Sequence, residues 1–162
     1  MPRLLDPLTI GRVRLRNRIV MPPMATDLST REGEVTDELI EHYRIRAQSL
    51  GLLIVEHSYI DIIGKRSERQ LGIYRDELIE GLRRLVEAVH SLGTHIAIQL
   101  NHAGGRTRIE VIGRRPIAPS PVRVLDGDPP IEMDEWDIAM VIRNCLLYTS
   151  DAADEGLGVD LG

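Results

Sequence analysis

Gln99 lies in the alternating run Ile96-Ala97-Ile98-Gln99-Leu100-Asn101, where greasy residues take one face and small or polar ones the other. A primary amide on the inner face of a buried strand needs partners for both its donor and its acceptor. A ligand edge with matching groups would supply them, and neighbouring backbone is the competing source. Pro22 and Pro23, followed by Met24 and Ala25, close another apolar run rigidly. On the residues alone they end a strand in a rigid loop. His57 and His102 each stand at the end of a strand-like run, where a packed imidazole competes with general-base chemistry. Arg106, Arg108, Arg114 and Arg115 crowd one loop, as a solvated face or as the mouth of a site for an anionic substrate. The only cysteine is Cys145, so the chain has no intrachain disulfide and no thiolate metal cluster.

These residues must be positioned by the elements around them. Arg18 to Met24 is a short apolar run stopped by its prolines. Residues 36–50 put Leu39, Ile40, Tyr43, Ala47 and Leu50 on one helical stripe, with Thr36 as N-cap, Asp37 and Glu38 in the first turn, and Gly51 after the end. Leu52 to Glu56 is a continuous apolar run of strand length that closes on Glu56, His57 and Ser58, as expected for a parallel strand covered on both faces. A second amphipathic helix is expected at about Asp76 to Ser91, with Leu78, Leu82, Leu85, Val86 and Val89 inward and Gly93 as its stop. A third strand is expected at Thr94 to Asn101, then a loop rich in Gly, Pro and Arg from His102 to Pro130, then a helix beginning near Asp134.

The order strand, helix, strand, helix, strand, helix predicts a parallel sheet of right-handed crossover units. A doubly wound nucleotide fold would carry a Gly-rich phosphate turn after the first strand, and here that turn reads PPMAT. A (β/α)8 TIM barrel fits better, with Ala97, Gln99 and Asn101 facing its lumen and the site gathered at the C-terminal ends of the strands. Such a barrel takes about 250 residues. The 162 residues here are therefore expected to be its N-terminal part, roughly three of the eight strand-helix units.

Composition narrows the classes. With 43% hydrophobic and 28% charged residues the chain can bury a core, and no apolar run approaches the roughly 20 residues of a membrane helix. A net charge of −5 without a basic block argues against nucleic acid, and the start MPRLLDPL lacks the apolar core of a signal peptide. A cytoplasmic protein acting on a small molecule, without membrane or nucleic-acid partner, is the expectation; the oligomeric state is left open.

Four stretches carry a family resemblance: LLDPLTIGRVRLRNRIVMPPMAT, VEHSYID, QLGIYRDELIEGLRRLVEAVHSLG and IAIQLNHAGGR, in that order and spacing. Over residues 4 to about 143 the chain resembles the N-terminal part of the Old Yellow Enzyme family, the NADH:flavin oxidoreductases with an FMN-binding barrel. Its wording is nearest the bacterial branch of dienoyl-CoA and enoate reductases. The resemblance implies an enzyme that takes hydride from NADH or NADPH onto FMN and passes it to an activated alkene. It also implies FMN-binding roles for Pro22, Pro23, Met24 and Ala25 along the flavin ring, for His57 mainly through its backbone, and for Gln99 at the pyrimidine edge. Ala25 stands where many members have a Thr or Cys whose hydrogen bond tunes the flavin, which a methyl cannot do. Asp27 stands where some relatives have a substrate-facing Tyr. The family's carbonyl-binding His with His or Asn, its proton-donating Tyr and the FMN phosphate site belong to later strands. No catalytic residue is therefore expected before residue 144. Some members add an iron-sulfur cluster and a FAD/NAD-binding part after the barrel. A different barrel enzyme, such as an aldolase or isomerase, and a non-catalytic truncated product are the alternatives.

Residues 145–162 have a separate origin in this reading. CLLYTSDAADE and the closing GVDLG resemble, after back-translation, the in-frame reading of a transposon-based sequencing adapter. The segment is expected to be disordered, and discounting its four acids would take the net charge from −5 to −1.

Overall fold

The computed structural model describes the backbone of residues 1–154 and the side chains of residues 1–147. The chain opens with an antiparallel hairpin, β1 (Leu8–Ile10) and β2 (Val13–Leu15), turned at Gly11, whose φ of 55° suits glycine. β3 (Val20–Met21) is only two residues long because Pro22 and Pro23 cannot extend its ladder. Helix α1 (Asp37–Ala47) begins at Thr36, whose Oγ1 accepts from the Leu39 amide at 3.1 Å and donates to the Leu28 carbonyl at 2.6 Å.

β4 (Leu52–Tyr59) runs three residues past the apolar core of its sequence signal. Its ladder with β5 (His95–Asn101) shifts register between Val55 and His57, so Glu56 is an extra residue there. Between them a 3-10 turn at Asp76–Leu78 leads into α2 (Ile79–His90). Gly93, at φ 71°, follows the end of that helix.

β3, β4 and β5 form one parallel sheet in that spatial order, with α1 and α2 packed on one face. Leu39, Tyr43 and Ala47 of α1 and Leu82, Leu85 and Val89 of α2 bury against Leu53, Val55 and Ile96 of the sheet. At the N-terminal end of the sheet the Arg16 guanidinium donates to the carbonyls of Ala47, Gln48, Leu50 and Leu92 and to Thr94 Oγ1, at 2.7–2.9 Å. Gly51 fits beneath the hairpin because a Cβ there would lie 2.2 Å from the Asn17 carbonyl.

The stretch expected as one long loop holds small elements: helix α3 (Ile109–Ile112) and a parallel pair, β6 (Ile117–Ala118) with β7 (Ile131–Glu132). Helix α4 (Glu135–Asp154) carries Val141 toward the core, while Trp136 is 70% exposed. It continues through residues 145–154, where the sequence led us to expect disorder; no Gly or Pro interrupts the chain before Gly156. The last residues of that expected tail, 155–162, lie outside the described residues. The sheet is open: β3 and β5 are its edges, and the barrel is partial.

Candidate functional site at the C-terminal ends of the strands

The C-terminal ends of β3, β4 and β5 bring most of the singled-out residues together. Pro22, Met24 and Ala25 emerge exposed from β3, with Pro23 half-buried. His57 of β4 is the direct register partner of Gln99 of β5. Gln99 is exposed on the lumen face, and its amide makes no hydrogen bond among the described residues. An open donor-acceptor amide on β5 and, across β4 from it, a rigid, exposed Pro22–Ala25 wall suit the edge and face of a flat heterocycle such as a flavin ring.

Glu56, freed from the ladder by the bulge, turns toward the β3 exit. Its carboxylate accepts from the Thr26 amide at 2.5 Å and the Thr26 hydroxyl at 2.7 Å, while its own amide donates to the Tyr43 hydroxyl at 2.9 Å. The side chain is 1% exposed. Burial pushes its pKa up against the opposing pull of the Thr26 hydrogen bonds. Thr26 in turn is followed by Asp27, the one non-glycine with positive φ among the described residues, at 55°. Asp27 accepts from the Ser67 hydroxyl. The buried carboxylate thus holds the turn that ends the Pro22–Ala25 wall.

Gln70 is the second buried organiser, at 1% exposure. Its Oε1 accepts from the Arg66 amide at 2.7 Å, and its Nε2 lies 2.6 Å from His57 Nδ1, 3.0 Å from the His57 carbonyl and 3.4 Å from Asn101 Oδ1. Burial is the main cause that holds the His57 pKa below its ordinary value, with Arg66 acting the same way and Asp27 against it.

His102 packs against Gly64, where a Cβ would lie 2.4 Å from the ring. Its Nδ1 accepts from the Gly104 amide at 3.2 Å, and its buried Nε2 has no partner among the described residues. Burial lowers its pKa.

A cavity of about 480 Å³ opens beside the site, lined by Ala25, Asp27, Arg66, Arg106, Arg108 and Glu110 among others. Of the four loop arginines, Arg106 and Arg108 therefore reach this mouth, whereas Arg115 is tied to the Pro129 carbonyl at 2.7 Å. Asp27, Glu68 and Glu110 share the cavity with Arg66, Arg106 and Arg108, so its charge is balanced. Among the described residues no group of His, Cys, Asp and Glu could hold a metal ion, and no helix is long and apolar enough to cross a membrane.

Glu56, Thr26 and Gln70 were not singled out from sequence. Glu56 had a weak signal, a carboxylate closing an otherwise apolar strand, but Gln70 sits in a loop without periodicity.

The family model described as the NADH:flavin oxidoreductase / NADH oxidase family matches residues 3–157. The NADH oxidase of Thermoanaerobacter brockii is 44% identical over 146 residues, which are 88% of this chain and 22% of that protein. The NADH:fumarate oxidoreductase of Klebsiella pneumoniae (strain 342) is 40% identical over 122 residues, 74% of this chain and 13% of that one. Among solved structures, the old yellow enzyme homologue from Zymomonas mobilis superposes with a TM-score of 0.85 at 30% identity, covering 96% of this chain and 46% of its own. The chain thus spans less than a quarter of these curated relatives and about half of the solved barrel.

Proposed function

Because the chain belongs to the NADH:flavin oxidoreductase / NADH oxidase family, we propose that the complete protein is an FMN-dependent oxidoreductase. It carries hydride from NADH or NADPH through the flavin to an activated alkene of enoate, enone or dienoyl-CoA type. The single observation that carries this reading is the pairing of His57 with Gln99 beside the Pro22–Ala25 wall, at the C-terminal ends of parallel strands. In this reading the Gln99 amide donates to and accepts from the pyrimidine edge, the Pro22–Ala25 backbone lies along the ring, and the His57 backbone contacts it. Bound there, FMN supplies the two-electron chemistry. Asp27 and the arginines of the neighbouring cavity would face the substrate, where an arginine offers a partner for one carboxylate of an unsaturated acid such as that named for the Klebsiella relative.

The paired donors that hold the substrate carbonyl and the residue that donates the proton are assigned to later strand ends of the barrel. We therefore propose that residues 1–144 alone neither retain flavin nor turn over. A FAD/NAD-binding part and an iron-sulfur cluster would likewise belong to sequence beyond the barrel. Flavin absorbance of the purified complete protein, with NADH oxidation assayed against an enone, an enoate and an enoyl thioester, tests the reading. A colourless protein that releases no FMN on denaturation would leave an aldolase or isomerase barrel in its place, and a yellow, active fragment 1–144 would refute the inactivity.

A further inference from the structure

The hydrogen bonds around Gln70 determine where the proton of His57 sits. The Arg66 amide can only donate, so the Gln70 atom 2.7 Å from it is the carbonyl oxygen. The opposite arm of the amide is then the NH2 group, and its 3.0 Å contact with the His57 carbonyl, a pure acceptor, requires the same orientation independently. That NH2 group also lies 2.6 Å from His57 Nδ1. An N–H on Nδ1 would set two donors against each other around a side chain that is 1% exposed, where no water relieves the mismatch. Nδ1 must accept, and the proton of the neutral ring is on Nε2.

His57 Nε2 makes no hydrogen bond among the described residues, and the ring is half-buried on the strand position that pairs with Gln99. A donor of fixed position and no charge is thereby left beside an open amide. We propose that Gln70 holds the His57 side chain as its Nε2–H tautomer, so that it donates a hydrogen bond to a carbonyl oxygen of the ligand bound at these strand ends. The flavin ring and an enone substrate both offer such an oxygen. This rests on the flavin reading and extends it, since the family resemblance gives His57 a role mainly through its backbone. Burial and the Arg66 charge both disfavour the imidazolium, while Asp27 opposes them, so the donor stays neutral by its surroundings as well as by its hydrogen bond.

Histidine-selective 15N NMR of the complete protein tests the tautomer directly. The expected spectrum for His57 has an unprotonated Nδ1 and a protonated Nε2, and Gln70→Glu, which presents only acceptors, is expected to draw the proton to Nδ1. A wild-type His57 protonated at Nδ1 overturns the proposal, whether or not the variant folds. The ligand is tested by FMN titration and by enone binding to the FMN-loaded protein. His57→Ala is expected to weaken one of them by roughly tenfold, the worth of a lost donor. Loss of FMN affinity identifies the flavin as acceptor, loss of enone affinity alone identifies the substrate, and no change in either overturns the proposal. A wild-type protein that binds no FMN overturns the flavin reading and the ligand assignment together; one that binds FMN but is insensitive to His57→Ala overturns the ligand assignment alone.

Discussion

Glu56, buried behind the exit of β3, fixes the turn at Thr26 from within the protein. A carboxylate at 1% exposure is costly to charge, and three neighbouring groups, the Thr26 amide and hydroxyl and the Asp27 amide, favour its charged form, yet burial wins and its pKa is raised. The folded state therefore binds a proton more readily than the unfolded chain does. In the window between the unfolded and the raised folded pKa, stability falls as pH rises and is regained on acidification. Glu56→Gln, which cannot ionise, is expected to lose this dependence. Urea unfolding of the complete protein from pH ~7 toward ~5 should show a relative gain for wild type that the variant lacks. Parallel pH profiles for the two proteins would remove Glu56 from this role. The same residue scale explains why Gln99 was readable and Gln70 was not: Gln99 announces itself by alternation within a strand, whereas Gln70 owes its role to contacts with residues 13 and 31 positions away.

At the scale of elements, the helices and strands follow from periodicity and caps, while their mutual placement depends on a few long-range clasps. Arg16 is the chief one. Its fork gathers four carbonyls at the ends of α1 and α2 and one hydroxyl ahead of β5, satisfying acceptors that helix geometry leaves orphaned. Arg16→Ala is expected to lower stability by about 2 kcal/mol, the range for charge-assisted hydrogen bonds, measured by urea midpoint. Arg16→Lys should recover only part of that loss, because an ammonium has three donors and no planar fork. Nothing in the run RVRLRNR distinguishes Arg16 from Arg12, Arg14 or Arg18. The bulge in β4 was equally silent in sequence, and it is what releases Glu56 toward Thr26 and leaves His57 opposite Gln99.

Among the described residues the molecule centres on a three-stranded sheet with α1 and α2 on one face and β3 and β5 at its edges, beside the β1–β2 hairpin and the β6–β7 pair. β5 has no strand on its outer side among the described residues, and Trp136, Ile142 and Leu146 on α4 are 70%, 54% and 64% exposed. Edges and greasy faces of this kind invite pairing with other chains. Residues 1–144 purified alone are expected to self-associate and to bind a hydrophobic dye, read by light scattering and dye fluorescence; a monodisperse monomer with no dye binding would contradict this.

Local physics is enough to read much of this protein. Apolar alternation yields β5 and the lumen position of Gln99, a Thr-Asp-Glu start yields α1, and paired prolines yield the short β3, because each of these depends on neighbours in the chain. The order of elements and four stretches of family wording then point to a partial (β/α)8 barrel. Folding alone decides which polar groups meet. The Glu56–Thr26 clamp joins residues 30 positions apart, the Gln70–His57 contact joins an irregular loop to a strand, and the Arg16 clasp reaches up to 78 positions away. Hydrogen bonds are specified by distance and angle in space, and a sequence encodes those only once its core has packed.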